Sequence, residues 1–480
     1  MRICRIIEVR PSGLDGIDLK MSGLQDNMEH ELIVIGGGAA GLAAARAARR
    51  RGASVTLVSE GPLGGDCTFL GCVPSKTLLR SARQGLDFDA AMSEVRRVVA
   101  SIAAEEDEDQ LRGEGIEVLR GRATFINDAT IDVSGTTLRS KRFIIATGAG
   151  PFVPPIPGLQ DGVFLTNENV FSQRSLPARM AILGGGPIGV EMAEAFARLG
   201  SVVSVVEAAP RLLPREEMEA SVVLKEHLEG LGVSVRVATT CTSVEVAGGS
   251  TRLGFNVGPV LEVDALLVAV GRRPSSSGLG LDATGVKVDA RGFIEVDAKM
   301  RTSSPHIYAA GDVAQSLQFT HVADETGRIA VGNALSRLAI RRFHPEWIPM
   351  VTYTDLEVAR VGITEDQAPS GSRVAYLPMA EFDRARMSGD DRGFVKIIVG
   401  PRRITRNLAG GSIVGATIVA PRAGEMIQEI VLAMRAGLFP ARLATATHAY
   451  PSWSMAVQLA AAQFFGDFGG RTARPSKKME

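Results

Sequence analysis

Two cysteines separated by four residues, Cys67 and Cys72, follow the glycine pair Gly64-Gly65 and precede Val73-Pro74-Ser75-Lys76. Thiols at this spacing can supply half of a metal site, pack as buried residues, or trade electrons as a redox couple. Cys4 and Cys241 stand alone, and no second Cys/His cluster has ligand spacing, so the pattern argues against zinc and no metal ligand set is expected. A helix opening at the pair would lower a thiol pKa through its dipole and favour a reactive thiolate. Two glycine turns flank a second kind of chemistry. Gly36-Gly37-Gly38-Ala39-Ala40-Gly41 and Gly184-Gly185-Gly186-Pro187-Ile188-Gly189 each follow an apolar run and open an alanine-rich stretch, and each stretch closes on a glycine sixteen residues later, Gly52 and Gly200. Gly36 and Gly184 permit the tight turn, Gly38 and Gly186 let the backbone approach a pyrophosphate, and Gly41 and Gly189 let helix pack on strand. Glu207, twenty-three residues beyond Gly184, is placed to accept ribose hydroxyls and repel a 2′-phosphate, which favours NADH over NADPH, although Arg211 nearby pulls the other way. In the first copy that position is Ser59, with Glu60 one residue late, and either is placed to bind the ribose. Later strands end in Ala146-Thr147-Gly148 and Ala269-Val270-Gly271, which puts Thr147, Gly148 and Gly271 beside the bound cofactors.

The elements that carry these residues repeat. Strand, glycine turn, helix and strand form a βαβ unit twice, and a third segment from about residue 349 turns to strands with one helix, α+β in character. The 480 residues suit about three domains. Basic and acidic residues both total 53, and this balance excludes a nucleic-acid binder, which needs a basic face. No apolar run approaches the length of about 20 residues that spans a bilayer, so no membrane insertion is expected. Four cysteines are too few for a secreted disulfide framework and point to a reducing, cytoplasmic setting. Residues 1–30 carry no apolar targeting stretch and read as a flexible extension or an early start codon. The acidic run 105–109 reads as a solvated helix face.

The combination Gly64-Gly65-Asp66-Cys67, Cys72-Val73-Pro74-Ser75-Lys76, lying between a first and a second dinucleotide fold, resembles the flavin-dependent pyridine nucleotide-disulfide oxidoreductases. The resemblance runs from about residue 31 to 469 and includes Ala269-Val270-Gly271-Arg272-Arg273-Pro274, Tyr308-Ala309-Ala310-Gly311-Asp312 and Tyr353-Thr354-Asp355. It implies an α/β fold of two Rossmann-like dinucleotide-binding domains plus a C-terminal α+β dimerisation domain. The expected boundaries are 31–150 with 280–345 for FAD, 151–279 for NAD(P)H, 346–470 for dimerisation, and a tail from 471 to 480. FAD would sit on Gly36, Gly38 and Gly41, with Asp312 at its ribityl or pyrophosphate part, and NAD(P)H on Gly184, Gly186 and Gly189. The resemblance also implies a Cys67–Cys72 redox disulfide, with Cys72 the charge-transfer thiolate facing the flavin and Cys67 the interchange thiol facing the acceptor. Lys76 and Glu191 match the ion pair near the flavin, where a cation favours negative charge on the reduced cofactor. A homodimer sharing its active site across the interface, and a small-molecule acceptor, follow from the same resemblance.

The sequence departs from the pattern at its C-terminal end. Thiol-exchanging members carry a His-Pro-Thr motif and then a glutamate; here Tyr450 takes the histidine position and Met455 the glutamate position. A tyrosine, with a reference pKa of about 10, is a poor base at neutral pH. His448 would lie roughly 7 Å along an extended chain from Tyr450. Mercuric reductases are similar in carrying tyrosine here and in the run Phe382-Asp383-Arg384-Ala385, but they also use a C-terminal cysteine pair, and no cysteine follows Cys241. The expectation is therefore electron transfer from NAD(P)H, with NADH favoured, through flavin and Cys67–Cys72 to a metal ion, a quinone or other electrophile, or an unusual disulfide. The alternatives are a dihydrolipoamide dehydrogenase whose proton shuttle has moved to His448, and a non-catalytic NADH-binding redox sensor.

Overall fold

The structure, a computed structural model, describes residues 29–160, 162–336, 338–402 and 410–477. Most of the expected N-terminal extension, residues 1–28, lies outside these. Its last two residues are part of the fold, because Glu29–His30 pairs in parallel with Thr136–Ser140.

The first domain is built on five parallel strands in the order Ile307–Ala309, Phe143–Ile145, Leu32–Ile35, Val55–Ser59, Glu117–Arg120. Leu32–Ile35 and Phe143–Ile145 are buried along their whole length, and so they read as continuous apolar runs rather than alternating ones. The edge strand Ile307–Ala309 arrives from beyond the second domain, which makes the first discontinuous in the chain. The second domain repeats the plan with four parallel strands, Ser234–Arg236, Val202–Val206, Arg179–Leu183 and Ala265–Val268. In both sheets the glycine turn follows an inner strand and leads into a helix, Ala39–Arg49 or Pro187–Arg198. That places both turns at carboxyl ends of strands, where open α/β sheets bind ligands. The third domain is a six-stranded antiparallel sheet with helices Ala423–Arg435 and Met455–Ala462 packed on it. The fold class is α/β with two dinucleotide-binding domains and an α+β third. The expected tail does not hang free: Arg474–Pro475 adds the edge strand of that sheet, pairing with Arg373 and Val374. Among the described residues no helix is long and apolar enough to cross a membrane.

A buried ion cluster fastens the second domain to the third. Lys396, on the central strand Phe394–Gly400, is 1 % exposed, and its Nζ lies 3.2 Å from Glu217, 2.7 Å from Glu219 and 3.1 Å from Glu365. Glu365 also accepts from Arg474 at 2.9 Å. Burial works against the lysine's charge, and the three carboxylates outweigh it, so its pKa rises. Removing one partner of a buried ion pair leaves the other charges uncompensated. Lys396→Ala is expected to destabilise the protein by about 3–5 kcal/mol, measured as a lowered midpoint in chemical denaturation.

Candidate active site

Cys67 lies in the short helix Gly65–Phe69, and Cys72 is the first residue of helix Cys72–Arg83. Gly64 at φ +100° and Gly65 at φ +59° make the turn that leads in, a left-handed conformation that favours glycine. Both cysteines are free thiols in this structure. Thr320, which opens helix Thr320–Ala334, donates its hydroxyl to Cys67 Sγ at 3.1 Å and lies 3.3 Å from Cys72 Sγ. The hydrogen bond from Cys67 is the largest influence lowering the Cys72 pKa; with help from Lys76 and Thr320 it overcomes burial and brings the group to about 5. The same hydrogen bond, together with burial, pushes Cys67 up. The shared proton therefore stays on Cys67 and the thiolate on Cys72.

Lys76 sits one helical turn after Cys72. Its Nζ is 2.8 Å from Glu191 Oε2 and 4.9 Å from the centre of the Tyr353 ring. Glu191, on the helix of the second glycine turn, accepts the Tyr353 backbone N–H through Oε1 at 2.9 Å. Burial opposes the lysine's charge, but Glu191 and the Cys72 thiolate more than offset it and raise its pKa.

A single cleft of about 3170 Å³ runs past both glycine turns and the dithiol. Cys67, Cys72, Lys76 and Glu191 line it, as do Gly36, Gly38, Ser59, Glu60, Thr147, Gly148, Asp312, Gly184, Gly186, Glu207 and Gly271. Gly41 and Gly189 lie beneath the turns, where a Cβ would come within 1.8 Å of Gly36 O and 1.9 Å of Gly184 O. Three buried donors along the cleft, Arg272 Nε, Gln318 Nε2 and Asn167 Nδ2, make no hydrogen bond among the described residues. Two backbone cradles that only glycine can form, together with unsatisfied donors, fit a long polar ligand at each turn. FAD fits the first turn and a nicotinamide dinucleotide the second.

Within this frame several side chains have partners that their spacing in the sequence does not reveal. Ser59 donates its hydroxyl to Gly61 O at 2.9 Å and packs under Gly37, so the carboxylate at this end of the cleft is the exposed Glu60. Thr147 donates to Ser275 O at 2.7 Å and ties the two domains together with its hydroxyl. Glu207 is held by the backbone N–H groups of Gly185 and Ala209, both at 2.6 Å, which leave lone pairs for a ribose. Arg211 points away, donating to Glu216 O at 2.9 Å and Pro214 O at 2.8 Å. Burial pushes Asp312 up to about 6, partly relieved by Arg272, whose Nε lies 3.7 Å from it. Arg272 also pairs with Asp66. The acidic run is only partly a solvated face: Glu106 accepts the Thr68 hydroxyl at 2.8 Å, beside the dithiol, and Asp107 caps a helix.

Tyr450 is not in the cleft of its own chain. It is 62 % exposed in the third domain, and its hydroxyl donates to Asp383 at 3.3 Å. His448 is already engaged: Nδ1 meets Ala446 O at 2.9 Å, and Nε2 meets both oxygens of Glu429 at 3.0 and 3.1 Å. Burial opposes its charge, but Glu429 and Ala446 raise its pKa, and both ring nitrogens are already taken up by these two partners. Sequence reasoning missed Thr320, the roles of Tyr353 and Arg272, and Glu106. Asp66, Arg272 and Tyr353 lie inside the motif stretches, but nothing in the spacing shows whom they meet.

Two dinucleotide cradles opening on one cleft, with a thiol–thiolate pair and a lysine between them, define a flavin- and nicotinamide-dependent dithiol oxidoreductase. Residues 30–327 match the pyridine nucleotide-disulphide oxidoreductase family, and residues 348–461 match its dimerisation domain. The chain belongs to that family and is an NAD(P)H-dependent flavoprotein disulfide oxidoreductase. It is 34 % identical to a mercuric reductase of Staphylococcus aureus over 92 % of this chain and 83 % of that protein. It is 33 % identical to a dihydrolipoyl dehydrogenase of Thermus scotoductus over 90 % and 96 %. A Cu(II) complex of the HOCl-induced flavoprotein disulfide reductase RclA from Escherichia coli superposes with a TM-score of 0.84 at 30 % identity, covering 91 % of this chain and 99 % of that one.

In the reduced protein the Cys72 thiolate, assigned by ultraviolet difference against Cys72→Ser, should persist from neutral pH down to about 5 and be lost below it, because its pKa is depressed. Lys76→Met should move that midpoint upward by about 1 pH unit.

Proposed function

We propose that this protein is a homodimeric reductase that passes two electrons from NADH through the Cys67–Cys72 couple to a thiophilic metal ion or a quinone. When bound, FAD supplies the relay of an electron pair from the nicotinamide to the disulfide. The chain's own residues do the rest. The amino end of helix Pro187–Arg198 at Gly186 holds the nicotinamide dinucleotide's pyrophosphate, and Glu207 orients its ribose and repels a 2′-phosphate. Lys76, paired to Glu191, holds positive charge where negative charge develops. The disulfide takes up the hydride's two electrons and the equivalent of its proton, and becomes the thiol of Cys67 and the thiolate of Cys72 with no net proton drawn from solvent. Transfer of two electrons to the acceptor re-forms the S–S bond and releases the Cys67 proton. The Cys72 thiolate and the Lys76 ammonium between two dinucleotide cradles carry this reading.

The acceptor class rests on the third domain. Tyr450 from a second copy of the chain would stand near Cys67 at the mouth of the cleft, its hydroxyl aimed by Asp383. With its proton directed at Asp383 it can accept a hydrogen bond or bind a metal, but it does not strip a proton from an incoming thiol at neutral pH. His448, locked by Glu429, disfavours the dihydrolipoamide reading. The reducing conditions that maintain a working dithiol suit a cytoplasmic setting.

Anaerobic NADH titration should bleach the flavin and raise a long-wavelength thiolate-to-flavin absorbance. Cu(II), Hg(II) and quinones should then reoxidise the enzyme faster than lipoamide does. No bleaching, or turnover with lipoamide alone, overturns the reading. Cys67→Ala should keep nucleotide-dependent bleaching and lose disulfide-dependent turnover. Glu207→Gln should lower kcat/KM for NADH about ten- to a hundredfold while sparing NADPH, since a charged hydrogen bond contributes about 1.5–3 kcal/mol.

A further inference from the structure

Helix Pro187–Arg198 carries a second buried carboxylate, Glu194, one turn beyond Glu191. It touches neither cleft nor thiols, yet four donors converge on it. Oε1 accepts from Arg83 Nε at 3.3 Å and Arg198 Nε at 3.0 Å. Oε2 accepts from the Asp355 backbone N–H at 2.8 Å and meets His227 Nε2 at 3.1 Å. Arg392 Nη1 lies 3.0 Å from His227 Nδ1 and can only donate, which fixes the imidazole proton on Nε2, toward Glu194. Arg198 reaches Asp355 at 2.8 Å, and Arg83 donates to Tyr353 O at 2.7 Å. The node joins three domains. Arg83 ends the helix that Cys72 begins, Glu194, Arg198 and His227 belong to the second domain, and Tyr353, Asp355 and Arg392 belong to the third.

Residues 353–356 run between the strands Met350–Thr352 and Glu357–Gly362 and take no part in their pairing. The segment that presents the Tyr353 ring to Lys76 and the Tyr353 N–H to Glu191 is therefore held by Glu191, Glu194 and Arg83 rather than by the sheet. Lys76 is a flexible stem, and without a fixed ring and carboxylate its ammonium has many places to go. We propose that Glu194 is a positioning residue: by gripping residues 353–355 and the far end of helix Cys72–Arg83, it holds the Lys76 ammonium where it stabilises the Cys72 thiolate. Arg83, His227, Arg198 and the Asp355 amide neutralise and orient that carboxylate, which stays charged down to a pH of about 2, so the node is constant across the working range.

The inference rests on reading Cys72 as the thiolate, and the test separates the two. In the FAD-loaded, dithiol-reduced enzyme, the Cys72 midpoint is measured by ultraviolet difference against Cys72→Ser, and independently by the pH dependence of the thiolate-to-flavin absorbance. Glu194→Gln should raise the midpoint by about 0.5–1 pH unit, and so should Arg83→Met, which alters a partly exposed side chain and tolerates folding better. In a Lys76→Met background neither substitution should add a further shift, because the effect runs through the ammonium. Lys396→Ala, which weakens a different buried node, should lower stability and leave the midpoint in place. An unmoved midpoint in folded Glu194→Gln and Arg83→Met, or a shift that survives in Lys76→Met, overturns the proposal. A wild-type midpoint in the ordinary thiol range near 8.5 instead overturns the assignment of the thiolate, and the positioning role falls with it.

Discussion

The pairing of Lys76 with Glu191 is the constraint around which the rest is arranged. A thiolate in a partly dry cleft needs a cation within a few ångströms, since at that range opposite charges attract by about 4 kcal/mol even at an effective dielectric of 20. The cation cannot be left alone either, because desolvating an ammonium costs several kcal/mol unless a partner is fixed beside it. Lys76 lies on the helix that starts at Cys72, so the first requirement is met locally. Glu191 lies on the helix of the other dinucleotide turn, so the second is met only when the two domains close on each other. The third domain then holds Glu191 through the Tyr353 amide. One charge balance at the dithiol thus imposes the relative placement of three domains.

A second balance crosses the same boundary. Arg272, leaving the second domain, meets Asp66, the helical residue just before Cys67, and stands beside Asp312 at the start of the helical segment after Ile307–Ala309. Asp312 is held near the top of the carboxylate range by burial, and the arginine is what keeps it from rising further. Its Nε still lacks an acceptor, and Gln318 and Asn167 likewise carry unmatched donors into the cleft. Unpaired buried donors are costly, and they concentrate where a ligand is meant to complete them. The open donors along the cleft and the tight packing of the two glycine turns are two sides of one design: the backbone comes close where phosphate would lie, and donors are left for the rest of the cofactor.

Local rules carried the fold far. The two turns were legible because a Cβ at Gly41 or Gly189 would meet a carbonyl oxygen two ångströms away, a requirement written at single positions with fixed spacing. The buried strands were legible because parallel sheets covered on both faces demand unbroken apolar runs. The dithiol and Lys76 were legible because one turn of helix relates them. What escaped was set by long-range closure. Thr320 reaches the thiols from nearly 250 residues away. Ser59 and Glu60 were separable only by seeing which one Gly37 covers, and the strand within the tail from 471 was not legible because edge pairing with Arg373 leaves no local mark. His448 looked available because Glu429, nineteen residues earlier, comes round on another helix to hold it.

Long-range closure also shapes the end of the chain that the acceptor would meet. Where a thiol-exchanging relative keeps a glutamate to orient a histidine, this chain has Met455 at the start of a helix, packed against the apolar core of the third domain. A carboxylate there would be buried against hydrocarbon without a histidine to serve, so the two replacements belong together. The carboxylate that does meet residue 450 comes from a different segment, Asp383, and meets a hydroxyl rather than an imidazole. An imidazole backed by a carboxylate takes protons from an incoming thiol; a phenol whose proton already points at a carboxylate turns its oxygen lone pairs outward. That arrangement accepts a hydrogen bond or a metal ion, and neither job requires a base. With Tyr450 of a second copy at the mouth of the cleft, as proposed above, electron transfer to an acceptor that brings no proton to remove is the chemistry that end would serve.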